Sequence, residues 1–242
     1  MEVKVESFTP YGEILIEKAC RVCYQSFHRL NPPGSTIELI QKILQQGHFS
    51  VLEHASATFR FNGVSRVLTH ELVRHRIMSP SQESQRYVCY ADKAETDQPG
   101  IKGKARKKTK DFTYTTPLDI AEGIEDLSMV CGWEVNDDGR YDYHELIDLC
   151  YKYYEFLLSK GIKPEDARYI LPNATNCDIY CTANLREWRH ICYVRCHPAA
   201  HWEIRALMTE VKDILKDLFP NVFYDFPKGP LKEEQYKGMI IT

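Results

Sequence analysis

Between Ala55 and Arg76 the hydrophobic period of this chain changes from two to 3.6, with Gly63 at the join, and no other stretch limits the possible folds as much. Ala55 to Asn62 alternates, with Phe59 and Phe61 on one face, as a half-buried strand does. Val64 to Arg76 follows in helical spacing, with Val64, Val67, Leu68 and Leu72 forming an apolar stripe. A chain that switches period in this way holds both element types in one fold.

The remaining pattern extends that mixture. Ser35-Thr36-Ile37-Glu38 is a capping box, its hydroxyl and carboxylate placed to satisfy opposite orphan amides, and it predicts a helix to about Gln46 with Gly47 after it. Arg86 to Ala91 reads as a strand, and Tyr143 to Lys160 as a long aromatic-rich helix closed by Gly161. Pro164 fits the first turn of a short helix through Ile170, because its missing amide would be an orphan there anyway. Asn176 to Ala183 alternates as a strand, Asn184 to Cys196 and Pro198 to Phe219 are helical, and the remainder reads as tail. The elements are interspersed without a regular βαβ rhythm, which predicts an α+β fold with a mostly antiparallel sheet packed against helices.

There is no internal repeat and no Gly/Ser linker, so residues 1–242 are expected to form one domain. The periodicity fades from about Lys93 to Asp142, which reads as a surface excursion. It carries Lys102, Lys104, Arg106, Lys107, Lys108 and Lys110, and without interleaved aromatics that run is expected to be a solvated loop rather than a nucleic-acid site. At 43% apolar residues and a net charge of -3 the chain suits a soluble globular protein, and its bulk charge names no partner. The opening MEVKVESFTP is too charged for a secretion signal, and no run reaches the roughly 18 apolar residues of a membrane span. A cytoplasmic protein without membrane contact is expected. Nine scattered cysteines, an odd number in a chain this long, are expected to be reduced thiols.

The i+4 successors of Val67 are Glu71 and His75, so an acid and an imidazole fall where core is expected and need partners. Beside them come Arg74 and Arg76, then Ser79, Ser81, Ser84 and Arg86. Guanidinium forks and serine hydroxyls together suit a phosphate. A basic helix C-terminus favoured by the macrodipole, followed by a serine-rich turn, fits the same spacing.

The run Arg74-His75-Arg76-Ile77-Met78-Ser79-Pro80-Ser81-Gln82-Glu83-Ser84-Gln85-Arg86-Tyr87 resembles the signature of the flavin-dependent thymidylate synthases, whose hallmark is Arg-His-Arg, seven residues, Ser. The likeness continues upstream in Arg21-Val22-Cys23-Tyr24 and in Gly47-His48-Phe49-Ser50-Val51-Leu52-Glu53-His54. Downstream it covers Ala167 to Pro172, Thr182 to Arg186, and Trp202 to Arg205. These blocks keep the family's order over most of the chain apart from the excursion.

The resemblance implies a homotetramer, with active sites built between subunits, that converts dUMP to dTMP. FAD would be the cofactor, methylenetetrahydrofolate the carbon donor and NADPH the reductant. It places dUMP on Glu71, Leu72, Val73 and Arg74, and on Gln82, Glu83, Ser84, Gln85 and Arg86, with Ser84 and Arg86 at the phosphate; Arg168 also reaches the nucleotide. FAD would be held by Ser50, Arg74, His75, Arg76 and Gln82, and by Asn184, Leu185, Arg186 and His190, with His48 near the flavin ring and the folate. Arg195 would lie against uracil O2 and N3 as the catalytic group. On spacing alone Arg195 closes the face of Asn184, Trp188 and Ile191, where it could equally be a helix-terminal arginine favoured by the dipole. The chain departs from the pattern where it carries Glu71 instead of Gln, His190 instead of Asn, Ala199 instead of His and His201 instead of Gln.

Other readings fit less of the chain. Cys192, Cys196, His197 and His201 are zinc-type ligands, but they lie within ten residues, and no metal is expected. His70 and His75 are five residues apart, which turns them about 140° around a helix and away from a shared metal. Cys196-His197 is the nearest candidate for the thiolate of the other type of thymidylate synthase. A nucleotide- or RNA-binding module using the arginine cluster is the non-enzyme alternative, and flavin absorbance separates it from the synthase.

Overall fold

A computed structural model describes residues 1–95, 104–118 and 143–240. In chain order its elements are β1 (Glu2–Phe8), α1 (Gly12–Cys23), α2 (Gly34–Gln45), β2 (Ser56–Ser65), α3 (Arg66–Leu72), β3 (Ser79–Gln82), α4 (Tyr143–Ser159), α5 (Pro164–Ala167), β4 (Asn176–Asn184), α6 (Leu185–Arg195), α7 (Trp202–Leu218) and α8 (Glu233–Tyr236). The chain forms two compact units, one of Met1–Asn62, Leu68–Ser81 and Asp178–Thr242, the other of Gly63–Val67 and Gln82–Cys177. The fold is α+β, with a four-stranded antiparallel sheet in the order β1-β2-β4-β3.

In the first unit, β2 supplies the inner face of the sheet. Ala57, Phe59 and Phe61 alternate inward as the period of two requires, while Thr58 and Arg60 stay half-buried and pair with Thr182 and Asp178 on β4. β1 lies antiparallel beside β2, with Val3 opposite Phe61 and Val5 opposite Phe59. Helix α6 packs on this face: the Trp188 ring stands edge-on to Phe59 at 5.1 Å, and its Nε1 donates to Ala57 O at 3.0 Å. Asn184 caps α6 by accepting from the Glu187 amide at 2.9 Å. The cap and the Trp188 anchor set the rotation of α6, and thereby the position of Arg195 at its end.

The segment after α7 reads as tail in the sequence but belongs to the core. Val222, Phe223 and Phe226 are buried, and two buried cations clamp the backbone that follows them. Arg189 donates to both carboxylate oxygens of Asp225, at 2.7 and 2.8 Å, and to the carbonyls of Val222 and Ile240, with its guanidinium 4.8 Å from the Phe226 ring. Lys212 donates to the carbonyls of Pro227 and Gly229 and to Asp213. At the other end of the chain, a Cβ on Gly12 would stand 2.8 Å from the Phe219 ring, so the start of α1 needs a glycine. The sequence reading did not single out β1, α1 or α8.

The second unit gathers Tyr90, Ala91, Tyr154, Leu158 and Ala167 into a cluster covered by Phe112 and Tyr151. Phe112 and Tyr151 stack at 4.6 Å, and Tyr151 Oη donates to Tyr90 O. Of the segment read as an excursion, 104–118 and 93–95 are described; Lys102 and the stretch to Asp142 lie outside the described residues. Lys104, Arg106, Lys107 and Lys108 are exposed, but Lys93 is buried and donates to Lys104 O, and Lys110 pairs with Glu83 at 2.6 Å.

Several boundaries differ from the expectation. Helix α2 begins at Gly34 with no side-chain cap; Ser35 Oγ instead accepts from the Asn31 amide at 2.8 Å, which draws it away from the helix amides. The expected helix 64–76 shrinks to α3, because Val64 and Ser65 stay in β2 and the first helical amides, Arg66 and Val67, are satisfied by Thr175 O and Asn173 O. Val67 is consequently half out of the core, at 38% exposure. No strand forms over Arg86 to Ala91: the amides of Tyr87 and Val88 turn back to Ser84 O, and Cys89 pairs with Thr109. Helix α7 starts at Trp202 instead of Pro198, since His201 is extended.

Candidate active site

In the first unit Arg195, Glu71 and His75 interlock. Arg195 Nε donates to His75 Nε2 at 3.0 Å, Nη1 to Glu71 Oε2 at 2.8 Å and Nη2 to Glu71 O at 3.0 Å. Three of the five guanidinium N–H groups are used in this way, and one on each terminal nitrogen is left. The plane and direction of the cation are therefore set by groups on the far side of it. The sequence could not separate this arrangement from a helix-terminal cap.

Accepting from Arg195 requires a neutral His75 with its proton on Nδ1. Burial, then the charge of Arg195, then His190, depresses its pKa to about 4, which holds that form across the physiological range. His75 Nδ1 lies 3.7 Å from Glu187 Oε1, and burial raises the Glu187 carboxyl above its ordinary value. The His190 ring meets His75 edge-on at 5.9 Å, and His201 Nδ1 is 3.8 Å from Glu71 Oε1. Two of the departures from the family pattern, Glu71 and His201, thus sit together.

The depressed His75 value has a consequence for stability. The unfolded imidazole takes up a proton near 6.5, whereas the folded one waits until about 4. Between those values the unfolded chain binds more protons, so stability should fall as pH drops through the window, by roughly 3 kcal/mol in all. Urea midpoints from pH 7 to 4 should show that slope, and His75→Gln, which keeps an acceptor and loses the titration, should flatten it. An unchanged slope in His75→Gln would assign the titration to another group.

The second unit holds Ser84 and Arg86, assigned to the nucleotide phosphate, and Arg168, assigned to the nucleotide. Arg86 Nε donates to Glu165 Oε2 at 3.3 Å, Arg168 Nε donates to Glu165 O at 3.1 Å, and Ser84 Oγ accepts from the Arg86 amide at 3.3 Å. Both arginines therefore converge on Glu165. The Glu83 carboxylate is committed to Tyr90 Oη at 2.8 Å and Lys110 Nζ at 2.6 Å, its carbonyl accepts from Arg66 Nη2 at 3.0 Å, and Gln85 is buried. Gln82 donates to Cys177 Sγ.

Most of the residues assigned to FAD fall on two cavities of the first unit or on an exposed pair, while His75 and Leu185 are buried and Gln82 lies in the second unit. A cavity of about 270 Å³ is lined by Asn184, Arg186 and His190 together with Glu53, Ile77 and Glu187. Arg186 pairs there with Glu53 at 2.7 Å. A second cavity, of about 750 Å³, includes His48 and Ser50 in its wall. Arg74 and Arg76 are exposed, whereas Leu72 and Leu185 point into the core and offer only backbone. Sequence reasoning passed over Glu53 and Glu187 as site residues. Glu187 was findable as the i+3 neighbour of Asn184, on the side of α6 that leads to His190.

Cys196 is buried, and burial followed by the neighbouring Cys196 raises the Cys192 thiol far above its ordinary value. Among the described residues, no three His, Cys, Asp or Glu side chains gather as metal ligands do.

The family described as thymidylate synthase complementing protein matches residues 4–221. The flavin-dependent thymidylate synthase of Geobacter sulfurreducens is 34% identical over 237 residues, covering 96% of this chain and 89% of that protein. The enzyme of the same name from Mycolicibacterium vanbaalenii is 39% identical over 221 residues, covering 89% and 80%. Thymidylate synthase X of Helicobacter pylori, crystallised with FAD and dUMP, superposes with a TM-score of 0.67 at 25% identity, over 93% of this chain and 98% of that one.

Proposed function

This chain belongs to the flavin-dependent thymidylate synthases, and on that premise we propose that it converts dUMP to dTMP with bound FAD, methylenetetrahydrofolate as carbon donor and NADPH as reductant. The observation that carries the reading is the Arg195 guanidinium, held from behind by His75 and Glu71 with one N–H left on each terminal nitrogen. A cation fixed in that way meets negative charge growing on uracil O2 and N3 without reorganising, and it keeps its proton throughout. Ser84 and Arg86 supply the hydroxyl and forked donor a phosphate needs, Glu165 is the carboxylate the phosphate displaces from Arg86, and Arg168 reaches the nucleotide beside them.

The chain's residues fit a flavin dinucleotide. The 270 Å³ cavity offers the Asn184 amide and the Arg186 guanidinium beside it, and the exposed Arg74 and Arg76 supply charge for a diphosphate. When bound, FAD supplies a reversible hydride carrier, which no side chain provides. Neutral His75 accepts from Arg195 without adding a second cation beside it. We further propose a cytoplasmic homotetramer whose active sites form between subunits; no helix among the described residues is long and apolar enough to cross a membrane.

Tritium release from 5-tritiated dUMP, with each cofactor withheld in turn, tests the reaction. A purified protein that is colourless, cannot be reconstituted with FAD and releases no tritium would overturn it. Arg86→Ala should weaken dUMP binding by roughly 1.5–3 kcal/mol, the worth of a charge-assisted hydrogen bond, and leave FAD bound. Titrating dUMP against flavin absorbance measures this, and unchanged affinity removes Arg86 from the phosphate site.

A further inference from the structure

The 750 Å³ cavity of the first unit has a chemical character that the reaction as described does not use. It lies between α1 and α2, and no Asp or Glu lines it. Arg21 in its wall is already neutralised, because Glu17 accepts from it at 2.8 Å while Thr36 donates to the other Glu17 oxygen at 2.6 Å. Arg29 and Lys42 are different: both are exposed, both line the cavity, and neither side chain has an ion pair among the described residues. Leu39 and Val51 form an apolar wall, and the Tyr24 ring is 72% exposed at the rim.

Two unneutralised cations on one apolar wall attract an anion with an organic body. The volume is in the range of sites for drug-sized ligands, well beyond what one inorganic ion fills. His48 and Ser50, assigned above to the flavin side, share the same lining, so the cavity adjoins the proposed active site.

We propose that this cavity is a subsite for the multiply charged anionic arm of a co-substrate, with Arg29 and Lys42 as its binding cations. The proposal rests on the synthase reading, which requires two co-substrates that bear such arms. A chain of glutamate carboxylates on the folate and the phosphates of the nicotinamide dinucleotide share the necessary chemistry. Arg29 lies at the end of the turn Phe27–Arg29 and Lys42 on the last turn of α2, so both reach the cavity from elements fixed independently of any ligand.

The test uses the full chain loaded with FAD and dUMP. Calorimetry gives dissociation constants for methylenetetrahydrofolate carrying one or five glutamates, and for NADPH against NADH. The more highly charged member of at least one pair should bind roughly tenfold more tightly or better at low salt, with the advantage shrinking as salt rises. The Arg29→Ala/Lys42→Ala double variant, two exposed positions whose loss spares the core, should remove most of that advantage and keep its flavin. A difference confined to the folates assigns the arm to the glutamate chain, and one confined to the dinucleotides assigns it to the phosphate. A yellow, tritium-releasing enzyme with the same ratios in wild type and double variant overturns the subsite alone. A colourless protein without tritium release overturns the subsite together with the synthase reading.

Discussion

Arg195→Ala should lower the rate of the methylation step roughly 10²–10³-fold, equivalent to about 2.7–4 kcal/mol, the effect of deleting one preorganised donor at a developing oxyanion. The expectation follows from the geometry of the guanidinium. His75 Nε2 and the Glu71 carboxylate and carbonyl hold it on three N–H groups, so its direction is set before substrate arrives. An interaction that strengthens as charge grows on the pyrimidine is lost from turnover more than from binding. Arg195→Lys should recover only part of the rate, because a point charge on a flexible stem satisfies neither His75 nor the Glu71 carbonyl in the same plane. Single-turnover oxidation of prereduced flavin, at saturating folate and nucleotide, measures the step. A normal rate in Arg195→Ala would reduce the residue to a helix-terminal cation worth at most about 1 kcal/mol of stability.

The largest effect on stability should come from Asp225→Ala, at roughly 3–5 kcal/mol, because it strands the wholly buried Arg189 without its anion. The Val222 and Ile240 carbonyls remain as acceptors, but they carry no compensating charge. Replacing both partners, as in Arg189→Met/Asp225→Ala, should recover part of the loss, since a buried apolar pair leaves no charge to desolvate. Urea unfolding of the two single variants and the double gives the coupling directly. A loss below about 1 kcal/mol in Asp225→Ala would mean that the C-terminal segment is not held by this pair. Because Asp225 also accepts from the Ile240 amide at 2.8 Å, protease access to the last residues should rise in the same variant.

What could be read from the chain was whatever depends on local period and on ordered blocks of residues. The alternation around Phe59 and Phe61, the long helix ended by Gly161 and the helix from about Asn184 to Cys196 each follow from neighbours a few residues apart, and all three stand in the structure. The Arg-His-Arg block, with a serine after seven intervening residues, marked the family, because a pattern that long is rarely matched by chance. Failures occurred where a distant partner competes for a local group. Ser35 leaves its helix for Asn31, Cys89 pairs with Thr109 instead of continuing a ladder, and Val64 is kept in β2 while α3 starts late on carbonyls about a hundred residues away in sequence.

By itself, then, the sequence determined the mixture of elements, the family, and the set of arginines, histidines and serines available for binding. It could not say which of two meanings Arg195 has, since a helix-terminal cap and a preorganised cation share one spacing. Only tertiary structure brings Glu71 and His75 from the other side of a gap of some 120 residues to within 3.0 Å of the guanidinium, contacts that a helix-terminal cap does not require. It also decided that His75 stays neutral, that Arg189 and Lys212 hold the apparent tail, and that Arg29 and Lys42 line one cavity with no carboxylate in its wall. The physical reason is the same in each case. Charge state and hydrogen-bond direction depend on which groups share a low-dielectric site, and that is a property of neighbours in space.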